Sequence, residues 1–223
     1  IISPRVLLNR CFKENDYNIL MNMKNIKRNP VEEYIRQLAW RDFYKHALCE
    51  WPYMSMDLPF NLSTTDLKWE TDVHNFEKWC NGQTGFPIID AIMRQLYQTG
   101  FICNRARMIT ASFLSKNLFI NWQWGERWFR LQLTDFDLMS NIGGWGYCSG
   151  TGIDCQPYFR VFNVETQSEK YDSDGEYIKR WVPELKNVEN IHNVENHTDD
   201  YPSKIVDLKE TRDRFISTFR DLM

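Results

Sequence analysis

Apolar residues return along this chain at intervals of three and four, and no period-2 run of useful length interrupts them. That period lines one stripe of an α-helix rather than one face of a strand. The pattern predicts an all-α fold without internal repeats. From Pro30 to about Glu50, Tyr34, Leu38, Phe43 and Leu48 follow the helical period, so one long amphipathic helix is expected. The Pro- and Ser-bearing stretch from Trp51 to Lys68 reads as a loop. A helix near Val73 to Cys80 opens at Asp72, whose carboxylate can accept from a first-turn N–H, and closes by Gly82. Pro87 suits the first position of the next helix, and the Ile88, Ile89, Ile92, Leu96 stripe runs to a stop at Gly100. Asn104 is expected to cap a further helix through Met108, Phe113 and Leu114. After the Trp122 to Leu138 region, the glycines of Gly143-Gly144-Trp145-Gly146 predict irregular backbone. The chain turns acidic and polar beyond Tyr171, with a surface loop expected from Asn187 to Asp200 and an amphipathic packing helix from Val206 to Leu222.

Composition narrows the classes. A length of 223 residues suits one domain, 1–223, and 43% hydrophobic with 26% charged residues excludes a disordered or collagenous chain. Nine tryptophans are more than core filling asks for. Cys11, Cys49, Cys80, Cys103, Cys148 and Cys155 show no C-x-x-C spacing and read as reduced thiols, which predicts a cytoplasmic or nuclear protein. No apolar run approaches membrane-span length, and Ile1-Ile2-Ser3-Pro4-Arg5 lacks the pattern of a signal peptide, so neither a membrane span nor secretion is expected. The first residue is not Met, and a piece of a longer reading frame is the expectation. The net charge of −3 gives no global argument for nucleic acid, so any DNA contact must come from a local patch.

Several residues carry candidate chemistry. Tyr34, Gln37, Trp40 and Tyr44 are three, three and four apart, on one stripe of the long helix. That stripe is either a stacking platform or, more often for such patterns, a buried aromatic seam. In Cys103-Asn104-Arg105-Ala106-Arg107-Met108, Asn104, Arg107 and Met108 share a face while Arg105 points about 100° away. Arg107 can therefore turn inward to a carboxylate while Arg105 meets a phosphate, the alternative being two solvated arginines. Asp135-Phe136-Asp137 raises the question of a metal, but His46, His74, His192 and His197 have no ligand spacing with it, and no metal is expected. No G-x-S-x-G, Cys/His pair or phosphate loop is present, so chemistry is expected from a borrowed cofactor.

The strings Trp122-Gln123-Trp124-Gly125-Glu126-Arg127-Trp128-Phe129, Asp135-Phe136-Asp137, Ser140-Asn141-Ile142-Gly143-Gly144-Trp145 and Gly150 through Gln156 to Asn163 resemble the FAD-binding domain of class I DNA photolyases and cryptochromes. The resemblance begins at Ile2-Ser3-Pro4-Arg5, passes through Trp40-Arg41-Asp42-Phe43-Tyr44 and Gly82 to Pro87, and reaches Arg180-Trp181-Val182-Pro183-Glu184-Leu185. It implies a helical domain around a bent FAD, with DNA carrying a cyclobutane pyrimidine dimer docking over the cavity and the lesion flipped out. It also implies Arg107 paired with Asp135 beside the flavin, Asp137 nearby, Asn141 facing the reactive ring nitrogen and Asn104 between flavin and lesion. Tyr34 falls beside the flavin, Trp40 and Met108 against the flipped bases, and Gln37, Arg41, Arg105 and Tyr147 on the DNA or lesion side. Trp145, Trp122 and Trp69 fall on the three-tryptophan relay to oxidised flavin.

Departures from the family pattern matter. Gln37 replaces a usual Glu that hydrogen-bonds the dimer, Cys103 a frequent His, Phe136 a frequent Gly, Ile142 a frequent Asn and Tyr147 a frequent Trp. The family's Thr/Ser-rich pyrophosphate segment and its antenna domain do not occur in these 223 residues, so weak FAD binding by this polypeptide alone is expected, with a second polypeptide completing an otherwise monomeric protein. Three functions follow from the resemblance: a light-driven DNA-repair lyase, a cryptochrome-like blue-light receptor without repair, or an inactive remnant.

Overall fold

The computed structural model describes residues 3–14, 30–155, 157–194 and 200–222. Ile1, Ile2, Gln156 and His197, named above, lie outside these, as do residues 195–199 of the expected polar loop. The chain divides into two compact units, Ile1–Tyr53 and Met54–Met223.

The first unit pairs α1 (Pro4–Glu14) with the long α2 (Pro30–Glu50). The second holds α3 (Val73–Cys80), α4 (Pro87–Thr99), α5 (Asn104–Ser112), α6 (Trp122–Gln132), α7 (Leu138–Ser149), α8 (Val164–Tyr171), α9 (Glu176–Trp181) and α10 (Leu208–Leu222). Among the described residues there is no strand, and Glu70 and Ile120 form an isolated parallel bridge.

Most boundaries follow local chemistry. Asp72 accepts from the Asn75 N–H at 3.0 Å, Pro87 opens α4, and Gly100 ends it in the left-handed conformation at φ 66°. The Ile88, Ile89, Ile92, Leu96 stripe is buried, and burying each such side chain is worth about 1.5–3 kcal/mol. Short 3₁₀ turns at Pro52–Met56 and Leu62–Asp66 shape the segment expected as a loop.

Two expectations need correction. Cys103, not Asn104, is the N-cap of α5, and Asn104 is its first helical residue. Beyond Ser112 that helix widens into a π-turn, Phe113–Asn117. The glycine-rich segment is not irregular, since α7 runs through Gly143, Gly144 and Gly146. Close approach explains Gly146, and Gly125 of the preceding helix, better than turn chemistry does, whereas Gly144 faces open space. A Cβ on Gly146 would sit 2.7 Å from the Gly152 Cα, and one on Gly125 of α6 would sit 2.1 Å from the Trp145 ring. The glycine of α6 thus makes room for the indole of α7.

A second cluster of Leu67, Phe119, Phe215 and Phe219, with Trp69 and Tyr158 against it, fixes α10 by its apolar stripe. Lys116 is buried beside this cluster, donating to the Arg160 carbonyl at 2.7 Å and the Tyr158 carbonyl at 3.4 Å.

Candidate functional site

Helix α5, with Asn104, Arg107 and Met108 on one face, packs on α7, and α7 packs closely on α6. These helices and the Leu133 to Asp137 connection enclose a hollow of about 130 Å³ lined by Asn104, Arg107, Met108, Asp135, Asp137, Asn141 and Trp145, with Phe129 and Cys148 among its apolar walls. Arg107 turns inward as expected, its Nη2 lying 2.9 and 2.8 Å from the two Asp135 oxygens while its Nε donates to the Ile102 carbonyl at 3.1 Å. Both partners are partly exposed, so the pair contributes on the order of 1 kcal/mol to folding. Its larger effect is to hold a guanidinium at the rim.

Asn141 is oriented by a group the sequence did not single out. Its Nδ2 donates to Glu126 twice, at 2.9 Å to Oε1 and 3.1 Å to the backbone carbonyl. Glu126 is buried and also bonds Arg130 at 3.1 Å, so the carboxylate is satisfied and the amide is locked. With the nitrogen committed, Oδ1 is the atom that Asn141 offers to a partner, an acceptor suited to an N–H. Glu126 lies four residues after Trp122 and three before Phe129, on the buried side of α6. An acid on the apolar face of an amphipathic helix was the available signal.

Asp137 caps α7, accepting from the Ser140 N–H and hydroxyl at 3.1 and 2.9 Å. The amide of Asn104 reaches the Met108 sulfur at 3.8 Å. Trp145 is buried against Phe129 and Trp79, and its Nε1 has no acceptor. Burial pushes the Cys148 thiol up to about 12, so this wall is neutral.

Other named residues of the second unit do not line the hollow. Trp122 is buried at the start of α6, and Trp69 packs on Phe119 with ring centroids 5.0 Å apart. Arg105 leaves the Arg107 face as expected and lies over the Tyr171 ring at 4.9 Å, while Tyr147 is half-buried on α7. In the first unit, Tyr34, Gln37 and Trp40 are exposed, and Trp40 stacks on Tyr44 at 5.8 Å. Tyr34 is 42% and Trp40 39% exposed. Gln37 donates to Glu33 at 3.0 Å, and Arg41 lies 3.8 Å from Asp42. Among the described residues no group of three His, Cys, Asp or Glu comes together to hold a metal, and no helix is long and apolar enough to cross a membrane.

Comparison with known proteins decides what family this arrangement belongs to. The family described as the FAD binding domain of DNA photolyase matches residues 34–221. The chain belongs to that family. The mitochondrial deoxyribodipyrimidine photo-lyase of Saccharomyces cerevisiae is 52% identical over the whole chain, which spans 38% of that protein. The crystal structure of a class III photolyase from Agrobacterium tumefaciens superposes with a TM-score of 0.83 at 38% identity, over 89% of this chain and 44% of that one. A Synechocystis cryptochrome superposes with a TM-score of 0.84 at 33% identity, over 97% and 46% respectively. The chain therefore spans less than half the length of these relatives.

The cofactor of this photolyase domain is FAD. The residues fit it. An orphaned buried N–H on Trp145, an oriented acceptor on Asn141 and a rim ion pair answer to a flat, polar-edged ring. The hollow of about 130 Å³ is smaller than the roughly 300 Å³ at which small-molecule sites begin, so it admits part of the ring system and not the dinucleotide.

Proposed function

We propose that this chain is the cofactor-bearing part of a deoxyribodipyrimidine photo-lyase, which uses light to repair cyclobutane pyrimidine dimers in DNA. One observation carries the reading: Arg107, Asp135, Asn141 and Trp145 line a single hollow in a chain of the photolyase family. Both compact units belong to one FAD-binding domain over 1–223 in this reading, since the family match runs from the first unit into the second.

Reduced FAD supplies the light-driven electron, and the side chains do the rest. Arg107 and Asp135 hold the ring edge, with Asp137 contributing as it caps α7. Asn141 accepts from the reactive ring nitrogen through Oδ1, held in that sense by Glu126. Asn104 and Met108 face the lesion side. The exposed stripe of Tyr34, Gln37 and Trp40, with Arg41, offers stacking and hydrogen-bonding groups for a flipped dimer, which stacks poorly in the duplex and is cheap to extrude. Arg105 and Tyr147 serve the DNA side, Arg105 leaving Tyr171 to do so. Trp145, Trp122 and Trp69 return electrons to oxidised flavin. The rest of the machinery, including the pyrophosphate grip, comes from a further segment or a second polypeptide, the assembly being otherwise monomeric and its compartment the cytoplasm or nucleus.

Gln37 favours a second reading, a cryptochrome-like photoreceptor without repair. An amide in place of a carboxylic acid keeps hydrogen bonding but removes a proton donor and a charge. One assay separates the readings: protein completed with its missing segment and reduced FAD is illuminated with blue light, and the dimers left in damaged DNA are counted. Light-dependent loss of dimers supports repair. Unchanged dimers with active flavin photoreduction favour the photoreceptor, and the absence of both marks an inactive remnant.

A further inference from the structure

Trp145 has more neighbours than a single-file relay needs. Its ring packs on Trp79 at 6.1 Å and on Phe129 at 5.1 Å, and Phe129 stacks on Trp79 at 6.0 Å. Trp79 in turn stacks on Phe76 at 5.9 Å, and Phe76 meets Trp124 edge-on at 5.3 Å. Trp124 is half-buried and lines an open surface groove with Phe76, Arg127, Trp128 and Leu131. Aromatic contact is therefore continuous from the hollow to the surface on the α3 side, away from the Trp69 and Phe119 cluster.

We propose that Trp79 and Trp124, bridged by Phe76, form a second electron-transfer branch from Trp145 to solvent. The proposal rests on the flavin reading above and adds to it an exit that the Trp122 and Trp69 relay does not include. Its stations differ in what they can do with a proton. The Trp145 Nε1 is buried without an acceptor, and the Trp79 Nε1 donates to the Thr110 carbonyl at 3.3 Å, a hydrogen-bond acceptor and not a base. An oxidised indole at either place keeps its proton and its charge. Both rings are buried, where charge is disfavoured, and Trp124 reaches water, where charge is solvated and a proton can leave. Burial thus drives the vacancy outward.

The electron count closes. Trp145 gives one electron to the light-excited flavin, Trp79 refills Trp145, and Trp124 refills Trp79. The oxidised Trp124 loses its indole proton to water. A soluble thiol then gives that ring a hydrogen atom, and two thiyl radicals join as a disulfide. Phe76 is never oxidised and serves only as the bridge between the indoles.

The test uses the flavin-loaded holoprotein with oxidised flavin, flashed with blue light. Transient absorption follows the tryptophan radical, and peptide mass spectrometry finds which indoles gain oxygen. The expected result is oxygen on Trp124 in the wild type and a long-lived radical that survives Trp69→Phe but is lost in Trp69→Phe combined with Trp124→Phe. Trp124 is partly exposed, so its replacement does not threaten folding. Loss of the radical in Trp69→Phe alone overturns the branch, as does a double variant that retains the radical of the single one. An unchanged radical yield in Trp145→Phe would overturn the flavin-facing role of Trp145 itself, a failure separate from that of the exit.

Discussion

Helices α4 and α7 are about equally long, yet they are built on opposite terms. In α4 every determinant is local: Pro87 starts it, an isoleucine stripe faces the core, and Gly100 stops it in a conformation that other residues reach with strain. In α7 the local code argues against a helix, since glycines weaken helices by about 1 kcal/mol each. What holds α7 is tertiary. Beyond the local cap at Asp137, Asn141 is tied to Glu126 on α6, and Trp145 fills the space that Gly125 leaves. The difference teaches that the helix carrying the site gives up intrinsic stability for close approach, and the helix that only builds the core does not.

The comparison can be broken most severely at Gly125. A side chain there meets Trp145 and Leu114 inside 3 Å, so Gly125→Val is expected to destabilise the protein by about 3 kcal/mol or more by denaturant unfolding. An effect under about 1 kcal/mol would mean that α6 and α7 are not so tightly seated.

The π-turn extends the comparison, because it too forms against its local pattern and buries Lys116. Burial lowers the Lys116 pKa from 10.5 to about 8. Below pH 8 the folded and unfolded chains are both protonated there, and the full penalty of burying the charge applies. Between about 8 and 10.5 the folded lysine is neutral while the unfolded one keeps its proton, so stability rises with pH, by about 3 kcal/mol in all. Lys116→Met is expected to remove that rise in stability curves measured across this range.

Smaller effects sharpen the contrast. Gly100→Ala in α4 places a methyl 2.6 Å from Thr134 at a positive φ and should destabilise by about 1 kcal/mol. Gly144→Ala in α7 meets nothing within 4 Å and should stabilise the flavin-free protein by about 0.5 kcal/mol in thermal unfolding. Opposite signs at two glycines, one ending a helix and one inside another, would confirm that position and not residue type decides.

The same division explains what could be read from the chain. Asp72, Pro87 and Gly100 act within a few residues of themselves, and the helices they bound were legible. The Arg107 and Asp135 pair spans 28 positions and was legible only through family resemblance, although the inward turn of Arg107 followed from helical geometry. The place of Glu126 on the apolar face of α6 marks it as a buried acid without naming its partner; its role appears only when α7 brings Asn141 to it. The glycines of α7 were misread for the converse reason. The close neighbour of Gly146 is Gly152, beyond the end of the helix and outside its local pattern. The aromatic stripe of α2 shows what periodicity leaves open, since it defines a face without saying whether that face meets core or solvent.

The central claim is that flavin sits in the hollow between α5, α6 and α7. Fluorescence titration of the completed protein with FAD, comparing wild type with Arg107→Leu, addresses it directly. Loss of charged hydrogen bonds there should weaken binding at least roughly tenfold without unfolding a partly exposed site. Equal affinity in the two proteins, with the fold intact, would contradict the account.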